Sequence, residues 1–306
     1  MSALPAGYVL RPARPDEAAA IAALICAADS ADGAEPDTET SDILSFWREF
    51  DPTMSALVVE ADSKVVAYAD VVADPASTHI DGYVHPEVRG RGLGAGLLRA
   101  AEDLATAGGR TELPLRATII SGAEDAMRLL EQEGYGYLRS FFRMAIEVGV
   151  APPEPAWPPG IEVRQYVSGL DDELMHEALQ DAFQDHWDFQ PRSLEDFVRT
   201  QAQDEQLVPT ASFIATAEGD TAGAVLSKRR FGAGLIGSLG VRPPWRRRGL
   251  GQALLLHAFG SFYGLGERSI KLGVDAESTT GATRLYERVG MEVEVRYDTY
   301  ERPPAA

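Results

Sequence analysis

Two runs of arginine and glycine are the residues in this chain best equipped for chemistry. "VRGRGLGAGLL" covers Val88–Leu98 and "WRRRGLGQALL" covers Trp245–Leu255. Each contains Arg-x-x-Gly-x-Gly, as Arg89, Gly92 and Gly94 and again as Arg246, Gly249 and Gly251. Glycine lets the backbone turn tightly and approach a ligand closely. A helix beginning there leaves several N–H groups without internal partners and carries a partial positive charge. Main-chain donors, with the side chains of Arg89, Arg91, Arg246, Arg247 and Arg248 nearby, suit a phosphate group. The run lacks the Lys-Ser/Thr of a P-loop. Gly90, Gly92 and Gly94 also miss the dinucleotide spacing, and the second copy has Arg247 in place of Gly90.

The elements that must position these runs occur twice, in the same order. Each half opens on a short strand ending in arginine, "YVLRPA" at Tyr8–Ala13 and "IEVRQY" at Ile161–Tyr166. Helices are expected at Asp16–Ala28 and Thr40–Phe50, and at Asp171–Phe183 and 194–203. Alternating, β-branched runs follow, "ALVVEA" and "KVVAYADVV" against "ASFIAT" and "TAGAVLSK". A third strand, Thr78–Val84 or Leu235–Val241, leads into the Arg/Gly run and a long apolar helix. Another strand and a distal helix close each copy, "AMRLLEQEGY" at Ala126–Tyr135 and "ATRLYERVGM" at Ala282–Met291. Two signals repeated in one order mark a duplication. Five prolines at Pro152, Pro153, Pro155, Pro158 and Pro159 mark a semi-extended linker. The expected organisation is therefore α/β, with one domain at 1–150, a linker at 151–160 and a second domain at 161–306.

The chain has 306 residues, 45% hydrophobic, enough for two cores. With 28 Lys/Arg against 47 Asp/Glu its net charge is −19, which disfavours nucleic acid and anionic membrane surfaces. Cys26 is the one cysteine, so an intrachain disulfide is excluded. The five histidines are scattered without zinc-ligand spacing, and no metal is expected. No signal-peptide pattern opens the sequence, and no run of about 18 apolar residues suggests a membrane span. A cytoplasmic protein acting on small molecules, as a monomer or homodimer, is expected.

Strand, "VRPPWRRRGLG", helix, strand and "GATRLYERVGM" resemble the GCN5-related N-acetyltransferases. "VHPEVRGRGLG" with "AMRLLEQEGY" repeats the likeness, so it covers nearly the whole chain. The resemblance implies two tandem domains, each a mixed, mostly antiparallel sheet flanked by helices. It implies acetyl-CoA, with the pyrophosphate on the amides of Gly249, Leu250, Gly251 and Gln252, and of Gly92, Leu93 and Gly94. It implies Leu239, Gly240 and Val241, and Val84 in the first half, beside the pantetheine arm and thioester. Thr279 stands near the position where an asparagine is common in the family.

Transfer to an amine requires a proton removed, an oxyanion stabilised and a thiolate released. Tyr286 occupies the family's tyrosine position and is the expected acid for the thiolate. Leu130, its counterpart, has no proton to give, so the first half is expected to be non-catalytic. Removal of the amine proton is open between His186, in "DAFQDHWDFQ", and water. Asp188 and Lys228 are the expected acceptor contacts. Leu235 stands where tandem members of the family carry a strand glutamate. On the first-half strand, Asp81 can face the cleft. The acceptor is read as a small primary amine. The alternatives are a cysteinyl glucosaminyl-inositol amine, or an acyl-CoA-binding protein that turns over nothing.

Overall fold

The structure is a computed structural model describing residues 4–48, 50–107, 112–202, 204–278 and 280–304. The chain divides into two compact units, Met1–Phe141 with Val295–Ala306, and Phe142–Glu294. Along the chain run β1 (Val9–Pro12), α1 (Ala18–Ala31), α2 (Thr40–Phe46), α3 (Pro52–Ser55), β2 (Ala56–Ala61), β3 (Lys64–Ala73), β4 (Thr78–Val84), α4 (Leu93–Ala107), β5 (Leu115–Ile120), α5 (Glu124–Gln132) and β6 (Gly136–Glu147). Then come β7 (Ile161–Gln165), α6 (Asp172–Phe183), α7 (Leu194–Phe197), β8 (Phe213–Ala217), β9 (Asp220–Arg230), β10 (Ala233–Val241), α8 (Leu250–Gly264), β11 (Ser269–Asp275), α9 (Ala282–Arg288) and β12 (Glu292–Arg302).

The first unit orders its strands β1-β2-β3-β4-β5-β12, and the second orders β6-β11-β10-β9-β8-β7. β1 with β2, β2 with β3, β3 with β4, β5 with β12, β7 with β8, β8 with β9 and β9 with β10 pair antiparallel, and β4 with β5 and β10 with β11 pair parallel. Two-residue turns with positive φ at both positions link β2 to β3 (Asp62, Ser63), β8 to β9 (Glu218, Gly219) and β9 to β10 (Phe231, Gly232). Such turns match the right-handed twist of the strands they join.

The linear halves differ from the units at their ends. Val295–Arg302 of β12 belongs to the first unit, where Tyr297–Arg302 pairs with Leu115–Ile120 of β5. Phe142–Glu147 of β6 belongs to the second, where Met144 is fully buried in the core. The last strand of each repeat has thus been assigned across the linear boundary.

Each unit packs helices on both faces of its sheet. In the second, Leu250, Leu254, Phe259 and Phe262 of α8 bury against Val225, Ile236, Ile270 and Leu272. On the other face Met175, Ala178 and Leu179 of α6 cover Ile214, Ala224 and Leu226. The first unit repeats this, with Leu93, Leu97 and Ala101 of α4 on one face and α1 and α2 on the other. Between the parallel strands the ladders are short. β4 and β5 pair at Thr78↔Leu115 and His79↔Arg116, and β10 and β11 at Gly234↔Ile270 and Leu235↔Lys271. Beyond these pairs the described strands part, leaving an open edge on β4 and on β10.

Candidate active site

The open edges end at Val84 and Val241. Arg242 N–H donates to the Ala222 carbonyl, and His85 N–H donates to the Val66 carbonyl. Neighbouring amides on a strand point to opposite edges, so the N–H groups of Val241 and Val84 face the openings. A shift of register between Ile236 and Ser238 puts a bulge at Gly237 on β10. Over Thr78–Val84 the register of β4 is continuous. Bulges re-aim the residues that follow them. The Cβ position on Gly240 lies 2.7 Å from the Cβ of Ala182, so only glycine lets α6 pack this close.

Past Val241, Arg247 has φ 61° and Gly249 φ 89°; past Val84, Gly90 has 73° and Gly92 80°. Left-handed residues alternating with ordinary ones turn successive amides toward one point, an anion-binding nest. The Cβ position on Gly249 meets no atom within 4 Å. The first helical bond of α8 runs from Ala253 N–H to the Gly249 carbonyl. That leaves the amides of Leu250, Gly251 and Gln252 to donate elsewhere. In the first unit the corresponding bond is Gly96 N–H to Gly92, leaving Leu93 and Gly94 in the same condition. The residues present therefore fit a pyrophosphate in both units.

The arginines divide by role. Arg246 donates from Nε to the Val241 carbonyl (3.1 Å), from Nη2 to the Ala182 carbonyl (3.0 Å) and from Nη1 to Asp185 (2.6 Å). Arg89 repeats this with Val84 (3.1 Å), Ala28 (3.4 Å) and Asp32 (2.6 Å). Both side chains staple the loop to the preceding strand and to α6 or α1. Arg91 donates to the Tyr8 hydroxyl and the Glu87 carbonyl. Arg247 and Arg248 are exposed, and they remain the side chains best placed to meet a phosphate from solvent.

Tyr286 sits on the inner face of α9, 8% exposed, among the residues of the α8 core. Burial pushes its hydroxyl up to about 12, so it holds its proton at neutral pH. Leu130 is 4% exposed in the matching core of the first unit. His186 follows α6 and packs its ring 4.6 Å from that of Phe183. Burial lowers its pKa, with Arg246 acting the same way and Asp275 and Asp185 opposing. The imidazole is therefore neutral, and able to accept a proton, at pH 7.

The remaining expected site residues are placed differently. Lys228 is 5% exposed, and its ammonium lies 2.7 Å from Asp204, which also takes Arg230 at 3.0 Å. A buried lysine whose charge is met by a carboxylate is part of the scaffold, and Lys228 does not present a free charge to an acceptor. Asp188 lies in the same turn as His186, with φ 57°. Thr279 lies outside the described residues. Asp32 and Asp185 hold the two stapling arginines, a role that neither acid's place in the sequence announces. The signal available for both was an acid near the end of the helix that precedes the first hairpin.

No helix among the described residues is long and apolar enough to cross a membrane. The Acetyltransferase (GNAT) family matches the chain over residues 21–135 and again over 173–291. Mycothiol acetyltransferase of Thermobispora bispora is 32% identical over 290 residues, covering 90% of this chain and 92% of that protein. That of Salinispora arenicola is 32% identical, with 94% of each covered. A crystal structure of a GCN5-related N-acetyltransferase from Sphaerobacter thermophilus is 37% identical with TM-score 0.87, covering 99% of this chain and 98% of that one. The family pattern is met once around each parted pair of parallel strands, and on both counts the chain belongs to the acetyltransferase (GNAT) family.

Proposed function

We propose that the chain transfers acetyl from acetyl-CoA to the primary amine of a small molecule by direct attack in a ternary complex, and that unit 2 (Phe142–Glu294) does so with Tyr286 as acid. The observation that carries this is the buried, protonated Tyr286 on α9, in the core cluster against which Leu239 and Val241 of β10 pack. When bound, acetyl-CoA supplies an acyl carbon activated by a thiol leaving group. The amides of Leu250, Gly251 and Gln252 and the side chains of Arg247 and Arg248 would hold its pyrophosphate. Leu239, Gly240 and Val241 would line the pantetheine arm. The Val241 N–H is aimed where an oxyanion needs a donor.

An alkylammonium has a pKa of about 10.4, so roughly 1 in 10³ molecules is neutral at pH 7. A positioned base then contributes about 10²–10⁴ in rate. Neutral His186 can take that proton directly or through one water. As the C–N bond forms and the C–S bond breaks, the nitrogen gives its second proton to water, Tyr286 donates to the departing sulfur, and solvent restores the tyrosine's proton and takes the one held by His186.

The acceptor of the mycothiol acetyltransferases is a second reading, supported by identity along nearly the whole chain. Leu235, on the strand where a glutamate is expected for that acceptor, weighs against it. The reading takes the cytoplasm as the compartment. Thiol release from acetyl-CoA across an amine panel tests it. Release with simple primary amines supports the general reading, and release confined to the cysteinyl sugar supports the second. Tight coenzyme binding with no release from any amine would leave a binding protein and overturn both.

A further inference from the structure

Unit 1 (Met1–Phe141 with Val295–Ala306) carries a pair of acids that this chemistry does not use. Asp70 on β3 and Asp81 on β4 are direct partners in the antiparallel ladder. Side chains directly opposed in this way share a face, with Cβ atoms about 5 Å apart. Tyr68 and Tyr83, two residues along on the same strands, pack with α1 and α2, so the two acids face that side of the sheet. Asp70 is 6% exposed. Trp47 Nε1 donates to the Tyr68 hydroxyl at 3.3 Å, and Tyr68 in turn bonds Asp70. The Thr118 backbone N–H donates to the Asp81 carboxylate, and His79 acts on it through its charge. Tyr83, two residues along β4, feels the charges of Asp29 and Tyr297 as well as those of the two acids. Burial pushes both carboxyls upward, and the charge of Asp81 raises Asp70 further, while His79 and the Thr118 amide oppose the rise at Asp81.

Comparison with the second unit argues that this pair is not part of the scaffold. The ladder pairs Ala67 with Val84, and Gly223 with Val241. Counting three residues from each pair sets Asp70 opposite Asp81, and Leu226 opposite Ser238. The same fold thus closes here with leucine and serine, and two opposed carboxyls are a costly substitute. β4 leaves β5 after His79, and Asp81 stands two residues beyond, on the open edge. The nest at Gly90 and Gly92 and the unclaimed amides of Leu93 and Gly94 lie at the end of that edge.

We propose that unit 1 is a second acyl-transfer centre, in which Asp81, backed by Asp70, takes the proton from a small cationic amine. The ammonium proton passes to Asp81. The freed lone pair forms the C–N bond at the thioester carbonyl, the C–S bond breaks, the nitrogen gives its second proton to water, and the thiolate leaves and takes a proton from water. Asp81 then returns its proton to solvent. Leu130 offers the sulfur no proton, and a thiol of pKa about 8.5 departs without one. A carboxyl pair sharing one proton keeps one negative charge, which attracts an ammonium and repels acceptors with a carboxylate beside the amine. The acceptor class is therefore a di- or monoamine without an acidic group. This rests on acetyl transfer by the family, not on the role of Tyr286.

The test uses the full chain with acetyl-CoA, reading thiol release with 1,4-diaminobutane and with glycine. In a Tyr286→Phe background, release with the diamine should persist and exceed that with glycine. Adding Asp81→Asn should lower it about 10²-fold, the share of a general base. Equilibrium dialysis should count two coenzymes per chain, with and without the Asn. A second variant, Asp70→Leu with Asp81→Ser, copies the pair that unit 2 already packs, and should fold and lose the same activity. Diamine turnover unchanged in both folded variants would overturn the proposal, as would one coenzyme per chain. Turnover lost with Asp81→Asn but unchanged with Tyr286→Phe would uphold it and remove Tyr286 instead.

Discussion

The Cδ2 of Leu285 lies 3.2 Å from the position a Cβ would take on Gly251. In the first unit the Cδ2 of Leu129 lies 3.1 Å from the same position on Gly94. A leucine of the distal helix therefore rests on the last glycine of each Arg-x-x-Gly-x-Gly pattern. The next residue in the chain is Tyr286 in one case and Leu130 in the other. The two positions correspond in packing, not only in sequence order. Tyr286→Phe keeps the buried ring and removes the proton. Its kcat should fall about 10- to 100-fold while the Kd for CoA stays within twofold, measured by stopped assay and calorimetry. An unchanged kcat would remove Tyr286 from the reaction.

Arg246 and Arg248 stand two residues apart and should fail differently. Arg246 meets two carbonyls and Asp185, so Arg246→Ala leaves the partly buried acceptors of the staple unmet. A loss of about 1–3 kcal/mol in urea unfolding is expected, along with weaker CoA binding because the loop is no longer held. Arg248 is exposed, so Arg248→Ala should leave stability within about 0.5 kcal/mol. Its CoA affinity should fall, and the fall should shrink as salt rises and screens the lost charge. Equal loss of stability in both variants would contradict this division.

The Arg/Gly runs were legible in the sequence because a nest and a helix start are local, set by a few consecutive residues. β4 was legible to the residue for a related reason, as the strand that leads into the first run, Thr78–Val84. Partners far along the chain were not. Nothing local in Val295–Arg302 says that it joins Leu115–Ile120, a pairing across most of the sequence. Lys228 reads as a free charge until Asp204 is seen beside it. Asp32 is one acid among the six between Asp29 and Asp42 until Arg89 reaches it. Asp81 drew notice alone, but Asp70 became meaningful only once the ladder set the two opposite each other.

His186 makes a pH prediction for turnover. Its pKa is lowered below the ordinary histidine value near 6.5, chiefly by burial. The neutral base form is therefore present at pH 7 and is lost only as pH falls below that value. With saturating amine, kcat of unit 2 should drop on the acid side with a midpoint below 6.5. His186→Gln should lower kcat about 10²-fold and abolish that limb. A wild-type profile in the variant would assign proton removal to water.

Asp171 makes a pH prediction for stability. Arg164 on β7 donates to it through both Nη atoms, at 2.5 and 2.8 Å, and Val167 N–H adds a third bond at 2.9 Å. The guanidinium, with the Val167 amide, holds the carboxyl below its ordinary range, although burial opposes this. Arg11 and Glu17 form the same forked pair in the first unit, with Arg14 N–H in the place of Val167. A carboxyl lowered in the folded state stabilises it above the unfolded pKa of about 3.9 and loses that effect as pH falls through the folded value. The Arg164 side chain is 46% exposed, so solvent screens the pair, and the contribution is set at about 1–2 kcal/mol. Asp171→Asn should therefore cost about that much in urea unfolding at pH 7. The gap between variant and wild type should narrow from pH 4 downward, as protonation gives the native chain the same neutral group. A gap that stays constant across that window would show the loss to be one of packing rather than of charge.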